Sequence, residues 1–153
     1  MAEHKYQWED FEVGQVRDLG TISPTREEII QFATQFDPQP FHLDDEAAKA
    51  SVFGGLCASG WHTCSMAMRL MVTRFLQETS SLGSPGLEDI KWPKPVFPGD
   101  VLRLRVTVLD SRISKSNPSL GILRWRWQLH NVVDTEVLDL EVTSLFDLSG
   151  APK

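Results

Sequence analysis

The chain has 153 residues, 41% hydrophobic and 24% charged, with a formal net charge of −6. That length suits one domain with its own core and is short for two. The acidic balance argues against nucleic-acid binding, since nothing overall draws a polyanion.

The first ten residues are polar and charged, with no apolar run of signal-peptide length. Trp8 to Gly14 reads as a lead-in, and Val16 to Ile22 as a short strand. Ser23 and Pro24 read as N-cap and first helical position, with Glu27 and Glu28 in the first turn. Ile29, Phe32, Ala33 and Phe36 recur at helical spacing, which predicts a helix from Pro24 to about Phe36. Pro38 and Pro40 end it and force an extended bend. Asp44 to Ala50 is a short helix with acids at its start, broken by Phe53-Gly54-Gly55. A second helix is predicted from Ser59-Gly60 to about Glu78. Its apolar residues cover most of the circumference, so it should be buried. Arg69 and Arg74 interrupt the most apolar stretch, Met66 to Leu76, which excludes a membrane span.

Ser80 to Gly86 reads as a loop. Leu87 to Trp92 is a candidate strand, and Pro93 to Asp100 a proline-rich connection with a turn at Gly99-Asp100. Leu102, Leu104, Val106 and Val108 alternate with Arg103, Arg105 and Thr107. Leu123, Trp125, Trp127 and Leu129 alternate with Arg124, Arg126 and Gln128. Leu138, Leu140, Val142 and Phe146 follow the same rhythm. Such strands belong to an antiparallel sheet with one apolar face. Helices first and a strand meander after them predict a single α+β domain, residues 1–153, with the sheet wrapped on one buried helix. Trp125 and Trp127 read as core or interface.

Cys57 and Cys64 would stand about 10 Å apart along one helix, too far for a disulfide. No Cys or His set has metal-ligand spacing. A reduced, cytoplasmic chain without metal is the simple reading. Both cysteines read as small buried hydrophobes.

Asp37-Pro38-Gln39-Pro40-Phe41-His42 carries the chemistry. Five residues do not align two side chains on a helix. The prolines hold the segment bent, which can aim an acid and an imidazole at one water. Gly60 opens the long helix, where unpaired N–H groups can polarise a carbonyl. Taken singly, Gly54, Gly55 and Gly60 are turn glycines. Ser59 and His62 lack the Gly-x-Ser-x-Gly elbow of a nucleophilic serine, and Ser59 reads as a helix cap. Lys91, Lys94, Arg103 and Arg105 could meet phosphates but read first as a solvated sheet face.

Asp37-x-x-Pro40-x-His42, Ala47, Phe53-Gly54 and Ala58-Ser59-Gly60, with the last glycine eighteen residues after the histidine, resemble the signature of MaoC-like dehydratases and (R)-specific enoyl-CoA hydratases. Pro95-Val96-x-x-Gly99-Asp100 is similar to the segment after that family's central helix. The resemblance spans about Phe11 to Phe146. It implies a hotdog fold, an antiparallel sheet wrapped around a long central α-helix. It also implies reversible syn addition of water to a trans-2-enoyl-CoA, giving a (3R)-hydroxyacyl-CoA. By position, Asp37 and His42 would activate water and the Gly60 N–H would stabilise the enolate oxygen. Gln39, Phe53, Gly54, Gly55 and Ser59 would contact substrate. The CoA thioester is the substrate, and no separate cofactor is implied. The partners expected are acyl-CoA and a second copy of the chain, paired edge to edge. Gln39 stands where the family often has Asn, Ser59 where His is common, and Met68 where some hydratases have Ser. A hotdog acyl-CoA thioesterase, or a non-catalytic acyl-thioester-binding protein, is the alternative.

Overall fold

The computed structural model describes residues 4–150. Its elements, in order, are β1 (Val16–Ile22), α1 (Arg26–Phe36), α2 (Asp45–Lys49), α3 (Gly60–Arg74), β2 (Ser81–Lys91), β3 (Leu102–Ile113), β4 (Leu120–His130) and β5 (Glu136–Asp147). The five strands form one antiparallel sheet in the order β1-β3-β4-β5-β2. The sheet wraps α3, which is the hotdog arrangement.

Alternation along the three long strands sorts their side chains. Leu102, Leu104 and Val106 of β3, Leu123, Trp125 and Leu129 of β4, and Leu138 and Leu140 of β5 are buried on the inner face. Against them α3 lays Met66, Ala67, Leu70 and Met71, with Phe75 just beyond its end. Arginines and acids fill the outer face. Arg126 meets Asp139 through two hydrogen bonds of 2.8 and 2.6 Å, and Arg124 lies 3.5 Å from Glu141. Cross-strand pairs of this kind add modestly to a half-wet sheet.

Trp125 and Trp127 are internal, at 1% and 3% exposure, and Trp125 Nε1 donates to Ser144 Oγ at 3.0 Å. They therefore supply no surface for a partner. Surplus apolar surface lies instead on α3. Contrary to the expectation of all-round burial, Trp61, Met68 and Val72 face outward on this helix. One sheet covers one side of a helix, so the opposite stripe stays open.

Three boundaries differ from the sequence reading. The cap of α1 is Thr25, not Ser23: its hydroxyl accepts from the Glu28 N–H, and the Glu28 carboxylate accepts from the Thr25 N–H, a capping box. The α3 helix stops at Arg74, because Phe75 takes an extended φ of −151° and a single 3-10 turn, Leu76–Glu78, follows. Residues 81–86, expected in a loop, belong to β2. This edge strand pairs with β5 only, with register shifts at Gly83 and Gly86, and is exposed almost throughout. A strand wet on both faces shows no period-2 signal.

Among the described residues no helix is long and apolar enough to cross a membrane.

Candidate active site

The end of α1 places the acid. Asp37 is the C-cap residue, its N–H donating to the Ala33 carbonyl at 2.9 Å, and its φ and ψ of −154° and 68° leave the helix. A 3-10 turn with Pro40 at its start then carries His42 inward, to 5% exposure. The expected convergence occurs: Asp37 Oδ2 lies 3.4 Å from His42 Nε2.

Hydrogen bonds fix both groups. His42 Nδ1 sits 2.6 Å from the main-chain carbonyl oxygen of Cys57, an acceptor only. Nδ1 therefore carries a proton, and in the neutral ring Nε2 turns a lone pair toward Asp37. Asp37 accepts from Ser59 Oγ at 2.7 Å on Oδ2 and from Gln39 Nε2 at 2.7 Å on Oδ1. Burial pushes the Asp37 carboxyl up. The hydrogen bonds from Ser59 and Gln39 oppose it, and the group ends below its ordinary range. It is thus held as a carboxylate.

Asp37 and His42 open into a cleft of about 460 Å³ walled by Phe53, Trp61, Thr63, Trp92, Lys94 and Val96, among others, with Gln39 and Gly60 also on its wall. The segment after β2 is tied to the helix start, with the Ala58 N–H donating to the Val96 carbonyl at 2.8 Å. Gly60 is the first residue of α3. The Trp61 N–H is engaged by Ser59 Oγ at 3.3 Å and the Thr63 N–H by the Ser59 carbonyl at 3.0 Å. Trp92 lies over Gly60: its Nε1 donates to the Gly60 carbonyl at 2.9 Å, and a Cβ at position 60 would meet the indole at 2.6 Å. A glycine is required there by close approach.

The remaining candidates divide. Gln39 and Phe53 are at the cleft. Ser59, completely buried, reaches the site through Asp37; it caps α3 as expected and also holds the acid. Gly54 and Gly55 are not on the cleft wall. Gly54 is exposed and takes a left-handed φ of +70°, and Gly55 stands against Phe97. Met68 faces outward. Trp61, Thr63, Trp92 and Lys94 were not foreseen at the cleft; the Trp92–Gly60 approach spans 32 residues of sequence and leaves no local signal. Both cysteines are free, and burial pushes the Cys57 thiol up to about 11. Among the described residues no group of three His, Cys, Asp or Glu could hold a metal ion.

The arrangement offers a carboxylate and an imidazole nitrogen spaced so that one water can donate to both, beside a helix start whose first residue, Gly60, is on the cleft wall. The sequence model of the MaoC like domain matches residues 10–123. A solved MaoC-like dehydratase from Rhodospirillum rubrum is 40% identical, with a TM-score of 0.84 over 91% of this chain and 94% of that one. The (R)-hydratase from A. caviae involved in PHA biosynthesis, 22% identical, has the same fold, with a TM-score of 0.69 over 87% of this chain and 95% of that one. The uncharacterized protein YdeM of Bacillus subtilis is 29% identical over 137 residues, 90% of this chain and 96% of its own length.

Proposed function

Because the chain belongs to the MaoC-like domain family, we propose that it hydrates and dehydrates acyl thioesters: water adds reversibly to a trans-2-enoyl-CoA to give a (3R)-hydroxyacyl-CoA. The observation that carries this reading is the approach of Asp37 Oδ2 to His42 Nε2 in a cleft beside the start of α3.

A water donating to Asp37 and to His42 Nε2 is oriented with its lone pairs free to attack. Its oxygen bonds to the β-carbon while one of its protons passes to the pair. The electrons of the double bond move toward the thioester carbonyl, whose oxygen is stabilised by the Gly60 N–H. The pair then returns a proton to the α-carbon, and the oxygen's negative charge collapses back to the carbonyl. The hydroxyl comes from the water held by the pair and the proton from the pair itself, on one side of the substrate, so addition is syn. Ser59 and Gln39 keep Asp37 ionised and fixed, and the Cys57 carbonyl keeps the His42 lone pair on Nε2.

Two exposed features support a homodimer: the free edge of β2, and the outward stripe Trp61, Met68 and Val72 on α3. Light scattering across a dilution series, with activity measured in parallel, tests it. A stable, fully active monomer refutes it.

The functional test is loss of the conjugated thioester absorbance with crotonyl-CoA and longer enoyl-CoAs. Asp37→Asn and His42→Ala should each lose activity on the order of 10²-fold or more while keeping the fold. The double variant should lose little more, because the two act as one unit. Absence of hydration by folded protein across chain lengths, or thiol release from saturated acyl-CoA in its place, would overturn the proposal in favour of binding alone or a thioesterase.

A further inference from the structure

At the opposite end of α3 from the cleft lies a second recess, about 700 Å³, between β1 and the helix end, walled by Tyr6, Phe75 and three arginines, Arg17, Arg74 and Arg103. Its one acid, Asp18, is committed: its carboxylate accepts from Arg103 Nη1 at 2.9 and 2.8 Å and from the Gly20 N–H at 2.9 Å. Glu78, next to Tyr6 and Phe75 in space, is engaged by Lys5 at 3.7 Å. Among the described residues, neither Arg17 nor Arg74 has a carboxylate partner. A chain of net charge −6 thus carries two uncompensated guanidiniums in one recess.

Arg17 is held there. Its guanidinium carbon lies 4.9 Å from the ring centroid of Tyr6 and 4.8 Å from that of Phe75, and its Nε is buried without an acceptor. Ring contact fixes such a cation and strips part of its hydration but supplies no acceptor. Arg74 comes to the same recess from the last turn of α3. Its guanidinium carbon lies 3.8 Å from where a Cβ at Gly20 would stand, and Gly20 has φ +87°, so a side chain there would be strained as well as crowded. A solvated-surface role does not account for a cation lying against two touching rings.

We propose that this recess binds a phosphate group, gripped by the guanidiniums of Arg17 and Arg74. Planar guanidinium forks match phosphate oxygens two at a time, and a pre-positioned fork loses little freedom on binding. The negative end of the α3 dipole opposes an anion here, and Arg74 offsets it. Along α3 the site is about 21 Å from Gly60, so it is distinct from the cleft. The phosphate is either a free ion or the 3′-phosphate of coenzyme A.

The test is titration of the full chain with inorganic phosphate, followed by amide chemical shifts. Saturable shifts centred on Arg17, Gly20 and Arg74 are expected. Arg74→Gln should weaken binding about tenfold or more, the worth of a charge-assisted hydrogen bond. Arg112→Gln, the same charge change on an exposed stretch of β3, should bind as the parent does. If CoA moves the same amides and dephospho-CoA does not, the 3′-phosphate is the occupant; if inorganic phosphate moves them and CoA does not, the free ion is. No saturable shift at these amides, or equal affinity in Arg74→Gln and the parent, overturns the site. Because Arg74 is exposed and touches none of the cleft residues, its loss leaves the fold available for the measurement.

Discussion

Gly60→Ala is the sharpest test of how the cleft wall is built. A methyl at position 60 would lie 2.6, 2.9 and 3.0 Å from Cε2, Nε1 and Cδ2 of Trp92. Two carbon atoms do not tolerate 2.6 Å without bonding, so one group must move. The helix start is fixed by the Ser59 cap, whereas Trp92 is 41% exposed and can swing outward. Swinging breaks the Trp92 Nε1 to Gly60 carbonyl bond, worth about 0.5–1.5 kcal/mol. It also removes the edge contact between Trp61 and Trp92, at 5.7 Å between centroids, worth about 0.5–1.5 kcal/mol. Alanine's better helix propensity returns up to ~1 kcal/mol. The net expected loss lies within about 0–3 kcal/mol, read by urea denaturation with tryptophan emission shifting to the red as the indole meets water. In a Trp92→Ala background the clash is gone, so Gly60→Ala should become neutral or stabilising. A cost that persists undiminished in that background would refute the argument, since the two sites would then be uncoupled.

Ser59→Ala removes a donor from Asp37 and should move the carboxyl upward. Asp37, lowered in the folded protein, adds stability that is full above the ordinary carboxylate range and lost as pH falls through its lowered value. In Ser59→Ala both the acid limb of activity and the acid loss of stability should therefore begin at higher pH; an unmoved acid limb would sink the assignment. His62 is stacked on Phe32 at 4.7 Å with Nδ1 lacking an acceptor, and burial lowers it despite the opposing pull of Glu28. Stability should thus fall as pH drops below the ordinary imidazole range of about 6.5. Thermal melts of His62→Phe should be flatter than the parent's from pH 7 to pH 5, the outcome failing if the two curves run parallel. Ser144→Ala leaves the Trp125 N–H buried without an acceptor and should cost about 1–3 kcal/mol in chemical denaturation; a loss below about 0.5 kcal/mol would show that another group takes its place.

What the sequence made legible follows the physics of local signals. Alternation along β3, β4 and β5 named their inner residues, because those strands have one dry and one wet face. The bend at Pro38 and Pro40 pointed to Asp37 and His42 for the same reason: proline constrains its immediate neighbours. The β2 strand was missed in its first half because Gly83, Pro85 and Gly86 mimic loop composition and an edge strand exposed on both faces has no period. Reading Ser23 and Pro24 as cap and first helical position passes over Thr25-x-x-Glu28, whose reciprocal pattern decides the cap. The links across the site were invisible. Ser59 to Asp37 spans 22 residues and Trp92 to Gly60 spans 32, and pairing at that distance is set by the closed fold alone. The outward stripe on α3 was likewise hidden, since a helix apolar nearly all round does not say which side its own sheet covers.

The two supports of the acid–base pair will respond differently to genetic drift. His42 is oriented by the carbonyl of Cys57, a group that every amino acid carries, so position 57 can exchange among small side chains and keep that bond, losing only the weak contact of Cys57 Sγ with Nδ1 at 3.8 Å, limited by the volume its buried site allows. Asp37 is oriented by the hydroxyl of Ser59, a group few amino acids carry, in a site with no exposed surface. Position 57 is thus free to wander over generations while position 59 is narrowed to residues that can donate a hydrogen bond from the same place. Neighbours in sequence, they inherit opposite tolerance because one lends the site its backbone and the other its side chain.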